Sequence, residues 1–389
     1  MHIPELNFAA DVEWSVLLAA CSAIAPEEKN RRLVPLLKRP IQWPVLFSRA
    51  EQHGLSPLLY QALFGMPDIV PFESLRQLKK RYQSNIHKSL FLTRELIRIL
   101  DEFDSLAIEV LPYKGVTLAE TVYGDVALRQ SGDIDLLIRP RDVKRAKDAL
   151  SKLGYTPQLS FSPREEDAYL ISGYETTFDS PLGRNLLELQ WALQPSFYAV
   201  DADMEEFFNR AVTMSVGGRS MKMLTAEDLF VILSVHAAKH VWARLVWLCD
   251  IARVMTSTSL DWDRVFAKSE TLGIKRIALL TLLLANQFFE SAVPARAEKE
   301  LLQDPEASPL AKMIQSKIVD GTASDVESIS YFRLMMRLRE RRADRVRFLY
   351  RLVFTPGPNE WRAIRLPAPL FPFYRLVRLS RLAARLIRA

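Results

Sequence analysis

The sequence predicts an α+β fold that is mostly helical, with one small mixed sheet set between N- and C-terminal helical regions. Three observations carry this. Most apolar residues recur at helical spacing, and Leu and Arg, both good helix formers, are plentiful. The few runs that alternate apolar and polar residues are short and fall between residues 105 and 195. Glycine is scarce, at 13 residues, and no tract is of low complexity.

A chain of 389 residues is long enough for two or three domains with a large core. The pattern divides it into a helical region 1–104, a mixed core 105–195, a helical domain 196–325 and a basic amphipathic region 326–389. Apolar residues make up 49% and charged residues 25%, as in ordinary soluble proteins. Only Cys21 and Cys249 are present, so no disulfide framework is expected and a reducing, cytoplasmic setting fits. The N-terminus, MHIPELNFAADVEW, carries acids where an export signal needs bases. The longest apolar run, Ile277 to Phe289, is broken by Thr281, Asn286 and Gln287 and reads as a buried helix rather than a bilayer span.

Taken in order, residues 8–26 and 43–64 are helical by pattern. Gly54 breaks the second of these, and Ser56 as N-cap with Pro57 at the first helical position restarts it. His53 reads as a helix C-terminal residue. A longer helix over 76–104 shows two apolar stripes, Ile86-Leu90-Thr93-Ile97-Leu100 and Leu92-Leu96-Ile99-Phe103, and is expected to be buried on two sides.

Ile108 to Tyr113 predicts a short strand that ends at Lys114-Gly115, a turn in which glycine permits close backbone approach to a ligand. A helix over 116–123 follows, and its free N-terminal amides make an anion site beside Lys114. Next comes Asp133-Ile134-Asp135-Leu136-Leu137-Ile138. On a strand the two carboxylates share one face, while Ile134, Leu136 and Ile138 face a core. Two acids so placed repel unless a cation lies between them, or they are merely solvated at a strand end. Pro140 opens a helix over 141–153, ended by Gly154, with Val143, Ala146, Ala149, Leu150 and Leu153 as its buried face.

Tyr174–Asp179 and Leu186–Trp191 predict a hairpin around Ser180-Pro181-Leu182-Gly183-Arg184. In its second strand Glu188 and Gln190 share one face, opposite Leu187, Leu189 and Trp191. Glu188 is therefore the candidate third acid, with Glu175 on the partner strand as the competing choice.

The combination Lys114-Gly115, Tyr123, Arg129, Ser131-Gly132-Asp133-Ile134-Asp135-Leu136-Leu137 and Leu187-Glu188-Leu189-Gln190-Trp191 resembles the uncharacterised nucleotidyltransferase family of the DNA polymerase β-like superfamily. The HGLSPLL phrase and the helices bearing His236, Trp242, Trp247 and Asp250 extend the resemblance over roughly 40–290. Two features depart from pattern. The turn is Lys-Gly rather than the superfamily's Gly-Gly or Gly-Ser, and Gln190 stands where the family is expected to have His.

The resemblance implies a minimal polymerase β-like nucleotidyltransferase core and transfer of NMP from an NTP to an acceptor, with release of pyrophosphate. It implies Mg²⁺ (or Mn²⁺) held by Asp133, Asp135 and Glu188, since these are carboxylates without Cys or His nearby. Glu188 would take the acceptor's proton. Lys114, Gly115, Ser131 and Arg129 would contact the nucleotide. Alternatives stay open for Lys114, as a solvated turn residue, and for Arg129, as an ion pair to Asp125 or Glu120. The acceptor is left open between a small molecule, a protein and RNA.

Beyond 195, Thr225-Ala226-Glu227-Asp228 resembles a capping box before an apolar helix. His236 and His240 share a helical face and read as packing histidines near the cleft rather than zinc ligands. Lys239, Arg244 and Asp250 are candidate contacts to nucleotide or acceptor, and Trp242 and Trp247 read as core.

The tail is distinct in charge. Fifteen arginines against three acids from 331 to 389 leave this segment at +12, so the rest of the chain carries −6 of the net +6. The end, FYRLVRLSRLAARLIRA, predicts a basic amphipathic helix that lies on an anionic membrane surface or docks on the protein's own acidic body. A non-catalytic nucleotide-binding or membrane-surface adaptor with the same fold is the alternative function.

Overall fold

The computed structural model describes residues 11–322 and 328–388, with the side chains of Pro358 and 385–388 left aside. The first residues of the helix expected over 8–26, and the side chains of Arg385, Leu386 and Arg388, lie outside that description.

The helices, in chain order, are α1 (Val12–Cys21), α2 (Pro26–Leu37), α3 (Trp43–Gln52), α4 (Ser56–Phe64), α5 (Phe72–Ser105), α6 (Gly115–Tyr123), α7 (Val143–Lys152), α8 (Pro163–Ser172), α9 (Met204–Arg210) and α10 (Ala226–Lys239). They continue with α11 (Leu245–Ser257), α12 (Trp262–Thr271), α13 (Lys275–Phe289), α14 (Ala295–Gln303), α15 (Ala307–Val319), α16 (Ile329–Arg337), α17 (Arg342–Phe354), α18 (Pro358–Ala363) and α19 (Tyr374–Arg388). The strands are β1 (Val110–Pro112), β2 (Asp133–Ile138), β3 (Thr156–Pro157), β4 (Glu175–Asp179), β5 (Leu186–Gln190), β6 (Val212–Val216) and β7 (Arg219–Met223).

The main sheet runs β1-β2-β5-β4-β3 and is mixed: β2 and β5 are parallel, and the other neighbours are antiparallel. A second sheet is the β6–β7 hairpin, turned at Gly217-Gly218, both with positive φ. One face of the main sheet is covered. Ile134, Leu136 and Ile138 of β2 and Leu187 and Leu189 of β5 join the buried faces of α5 and α7 in one core. A larger core collects α1, α3, α4, α10, α11, α13 and α15. The other sheet face, bearing the acids, looks toward α10.

The α5 helix corrects one expectation. It is 34 residues long, or about 51 Å at 1.5 Å per residue. Leu92, Leu96, Ile99 and Phe103 are buried against the sheet, but Leu90 of the other stripe is 55% exposed. The helix outruns the bodies it packs against, so that stripe has cover only in places. The restart at Ser56 is also shifted: Leu55 is the N-cap, and Ser56 Oγ instead donates to Glu51 at 3.0 Å.

The C-terminal helix docks by charge within the molecule. Arg378 is buried and donates to Leu352 O at 2.8 Å and to Glu360 at 3.1 Å, and Arg381 adds a contact to Glu360 at 2.6 Å. Among the described residues no helix is long and apolar enough to cross a membrane.

His53 ties the N-terminal helices to the rest. Its Nδ1 accepts from Leu245 N–H at 3.3 Å, and its carbonyl accepts from Val246 N–H at 3.0 Å. Burial pushes its pKa down to about 4, helped by the charges of Arg244 and Arg49. A lowered folded-state value means the unfolded chain binds the proton first as pH falls. This stability is therefore present above about 6.5 and is lost toward pH 4, at about 1.4 kcal/mol per unit of pKa. A His53→Gln variant is expected to lose stability less steeply than wild type between pH 6.5 and 4 in urea titrations; equal slopes would contradict this role.

Candidate active site

The site is built where β2 and β5 run side by side. Their register sets Asp135 directly opposite Glu188, with Asp133 two residues earlier on the same face. Asp135 is buried, and Asp133 and Glu188 are partly buried. The loop after β1 brings Lys114 in from above: its Nζ lies 2.6 Å from Asp135 Oδ1, and both side chains are almost wholly enclosed. The same ammonium is 3.5 Å from His236 Nδ1 on α10.

Gly115 makes this approach possible. It opens α6 at φ +61°, and a Cβ there would stand 3.1 Å from the backbone oxygen of Asp133. Gly115→Ala is expected to cost about 1–2 kcal/mol and to shift Asp133. Thermal melting checks the first effect; an unchanged melting temperature would show that the turn carries no such strain.

A polar relay continues across the sheet. Gln190 is buried; its Nε2 donates to Glu188 at 2.9 Å and to Glu175 at 3.3 Å, while Tyr113 donates its hydroxyl to Gln190 Oε1 at 2.6 Å. Tyr174 donates to the other Glu175 oxygen, and Lys239 Nζ donates to the Tyr174 hydroxyl at 2.6 Å. Glu175 thus lies on the same face as Glu188 but one strand further from β2.

The electrostatics follow from burial. Desolvation pushes the Asp135 carboxyl up, with the help of Asp133 and Glu188, and the Lys114 ammonium against it pulls the other way. Glu188 is raised by burial and by Glu175. Burial opposes the Lys114 charge, yet Asp135, Tyr113, Glu188 and Asp133 outweigh it and hold the ammonium well above its ordinary value. Burial drives His236 well below its ordinary value and His240 down to about 3, so both rings are neutral at pH 7.

The donor set suits a hard cation. Asp135 Oδ1 is buried, touches an ammonium, and accepts no directed hydrogen bond. Among the described residues no three acidic, His or Cys side chains converge as a ready cage. Mg²⁺ does not need one, because it is usually held by one or two carboxylates together with waters and substrate phosphates.

Arg129 departs from expectation. It grips Asp250 through two bonds of 2.9 Å and reaches Ser131 Oγ at 3.1 Å, all within the interior. Tyr123 also donates to Asp250, at 2.6 Å. The guanidinium therefore faces α11 rather than the acid face, and its partner is neither Asp125 nor Glu120. A buried Arg–carboxylate pair needs the bidentate geometry seen here. Arg244 lines the same pocket as Ser131 and Gly132, just before β2, and its Nη2 would stand 3.1 Å from a Cβ on Gly54, which has φ +72°. The turn before it is strained, with Val241 and Trp242 at φ +54° and +49°.

Two pockets adjoin the acid-bearing strands, though neither is lined by Asp133, Asp135 or Glu188. One, of about 330 Å³, opens at Ser131 and Gly132 and is lined by Arg81, Lys88, Asn85 and Arg244. The other, of about 170 Å³, lies over β4 and is lined by Glu175, Thr177, Tyr198, Lys239 and Arg362.

His236, beside Lys114, forms a ring cluster with His240 and Trp247, with centroids 4.9–5.2 Å apart. Trp242 is core, donating to Thr281 at 3.0 Å. Sequence reasoning missed Tyr113, Tyr174 and the bridging role of Gln190. The only local sign was that Gln190 alternates in phase with Glu188.

The fold is thus a mostly helical α+β fold whose small mixed sheet sets a DxD strand beside a strand bearing a third acid, entered through a glycine turn and a short helix. The chain belongs to the uncharacterised nucleotidyltransferase family, whose model matches residues 39–290. Solved structures are similar at a distance. The antibiotic-resistance factor ANT(2'')-Ia in solution is 14% identical at a TM-score of 0.35, covering 47% of this chain and 91% of that one. ANT(2'')-Ia in complex with adenylyl-2''-tobramycin is 15% identical at 0.34, covering 47% and 97%. An antigenic nucleotidyltransferase-like protein from Paracoccidioides brasiliensis is 14% identical at 0.31, covering 53% and 95%. No curated protein matches the sequence.

Proposed function

We propose that this protein is a Mg²⁺-dependent nucleotidyltransferase that moves an NMP from an NTP to an acceptor hydroxyl and releases pyrophosphate. One observation carries the reading: the parallel register that sets Asp135 opposite Glu188, with Lys114 against Asp135. Family membership supports the same class of reaction.

Asp133 and Asp135 would hold Mg²⁺, or Mn²⁺ in its place, and the cation would neutralise charge on the transferring group. Lys114 and the Gly115 amide, at the N-terminus of α6, hold the departing phosphates. The NTP enters through the pocket at Ser131 and Gly132, where Lys88 and Arg244 have no ion-pair partner among the described residues. Glu188 accepts the acceptor's proton as that oxygen forms its bond to the α-phosphorus; the bond from that phosphorus to pyrophosphate breaks. Arg129 supports the site through Asp250 and Ser131 rather than by touching substrate.

Pyrophosphate release from each NTP in turn, with Mg²⁺ or Mn²⁺ and cell extract as acceptor source, tests the reading. Release by wild type and none by Asp133→Ala/Asp135→Ala is expected. Equal release by both would overturn the assignment of these acids.

A further inference from the structure

The pocket over β4 has a feature that catalysis by the acids does not itself require. Its floor begins at Thr177, which pairs across β4–β5 with Glu188. Paired residues on one sheet face have Cβ atoms about 5 Å apart, so the pocket opens beside the group assigned to take the acceptor's proton. Its contents are uneven in charge. Lys239 and Arg362 line it against one acid, Glu175. Lys239 donates to Tyr174 and lies 4.4 Å from the centre of that ring, and neither cation has a carboxylate partner among the described residues. Glu175 is already engaged by Tyr174 and Gln190. At about 170 Å³ the space is well below the 300–1,000 Å³ of ordinary ligand pockets. An NTP does not fit it, and the larger basic pocket at Ser131 suits the nucleotide.

We infer that this pocket holds the acceptor, and that the acceptor is a small free molecule bearing a hydroxyl and one anionic group, a carboxylate or a phosphate. Arg362, on α18, and Lys239, on α10, bind the anion. Tyr198 and Tyr174 wall the sides, and the hydroxyl points toward Glu188. The inference rests on the nucleotidyl-transfer reading. It also gives the arginine-rich C-terminal region a second role, because α18 completes the acceptor site. Because attack leaves an NMP ester of the acceptor hydroxyl and free pyrophosphate, the anionic group is unchanged in the product.

The test uses the full chain, α-labelled NTPs with Mg²⁺, and cell extract divided by ultrafiltration into small-molecule and macromolecular fractions. The small-molecule fraction is used with and without prior phosphatase treatment. Label is expected on a small anionic product. Arg362→Glu is expected to raise the acceptor KM about tenfold or more, whereas Arg375→Glu, an exposed arginine outside the pocket, serves as the charge control and leaves it unchanged. Thr177→Trp, which fills the floor, is expected to abolish transfer, and Arg362→Glu, at an exposed position, keeps the test valid if that variant does not fold. Loss of the acceptor on phosphatase treatment assigns a phosphate; survival assigns a carboxylate. Label confined to macromolecules, or an acceptor KM indifferent to Arg362→Glu, overturns the inference. Cleavage of NTP to NMP and pyrophosphate by wild type without acceptor leaves the underlying reading standing in that case. Neither cleavage nor label from wild type means that both fall.

Discussion

Asp135→Asn and Glu188→Gln each lower pyrophosphate release by about 10²–10⁴-fold, while Glu175→Gln stays within about tenfold of wild type. The difference follows from the sheet. Glu188 is on β5, hydrogen-bonded to the strand that carries Asp133 and Asp135, and opposite Asp135 in register. Glu175 is on β4, a further strand away, and adjacent strands are about 4.8 Å apart. Gln190 bridges Glu175 to Glu188. Asn at 135 keeps the shape of the side chain but removes the charge that Lys114 pairs with, so binding of the ammonium and of a cation is lost together. Steady-state pyrophosphate assays read all three variants. If Glu175→Gln were the inactive one, the third acid would have to be reassigned to β4.

Arg129→Ala costs about 3–5 kcal/mol of stability. It leaves the Asp250 carboxylate, wholly buried and otherwise met by Tyr123, without its cation. The loss spreads because this clamp joins the loop before β2 to α11, and Asn85 of α5 holds the same loop through the carbonyls of Ala127 and Arg129 at 2.8 and 3.3 Å. Asp250→Ala strands the guanidinium and costs a similar amount. The apolar double variant Arg129→Met/Asp250→Leu recovers part of the loss, since a buried pair removed whole leaves no orphaned charge. Urea or thermal midpoints measure this. Were Arg129 turned to the triphosphate, its variant would keep its midpoint and lose NTP affinity instead.

The acid strand was legible because two periodicities coincide in it. Ile134, Leu136 and Ile138 demand a core on one side, which forces Asp133 and Asp135 onto the other. The same alternation in Leu187, Glu188 and Leu189 located β5. The short helix and its Lys-Gly entry were legible from the glycine, whose positive φ the structure requires. What local pattern does not encode is partnership over distance. Arg129 and Asp250 are 121 residues apart and Lys114 and His236 are 122 apart, so neither pairing leaves a periodic trace. Gln190 looked like a departure from family pattern, and only the folded sheet shows it bridging Tyr113, Glu188 and Glu175. The exposure of Leu90 was equally hidden, because a stripe of apolar residues does not say how far its cover extends.

The most direct measurement follows both ends of the triphosphate in one reaction, with α-labelled and γ-labelled NTP in parallel tubes of wild-type protein, Mg²⁺ and extract. Nucleotidyl transfer at Asp133, Asp135 and Glu188 puts the α-label on the acceptor and the γ-label in pyrophosphate, and Asp135→Asn abolishes both. A γ-label on the acceptor would make this a phosphoryl transfer. NTP bound equally by wild type and Asp135→Asn, with neither label moved, would make the protein a non-catalytic nucleotide binder; either result contradicts the assignment.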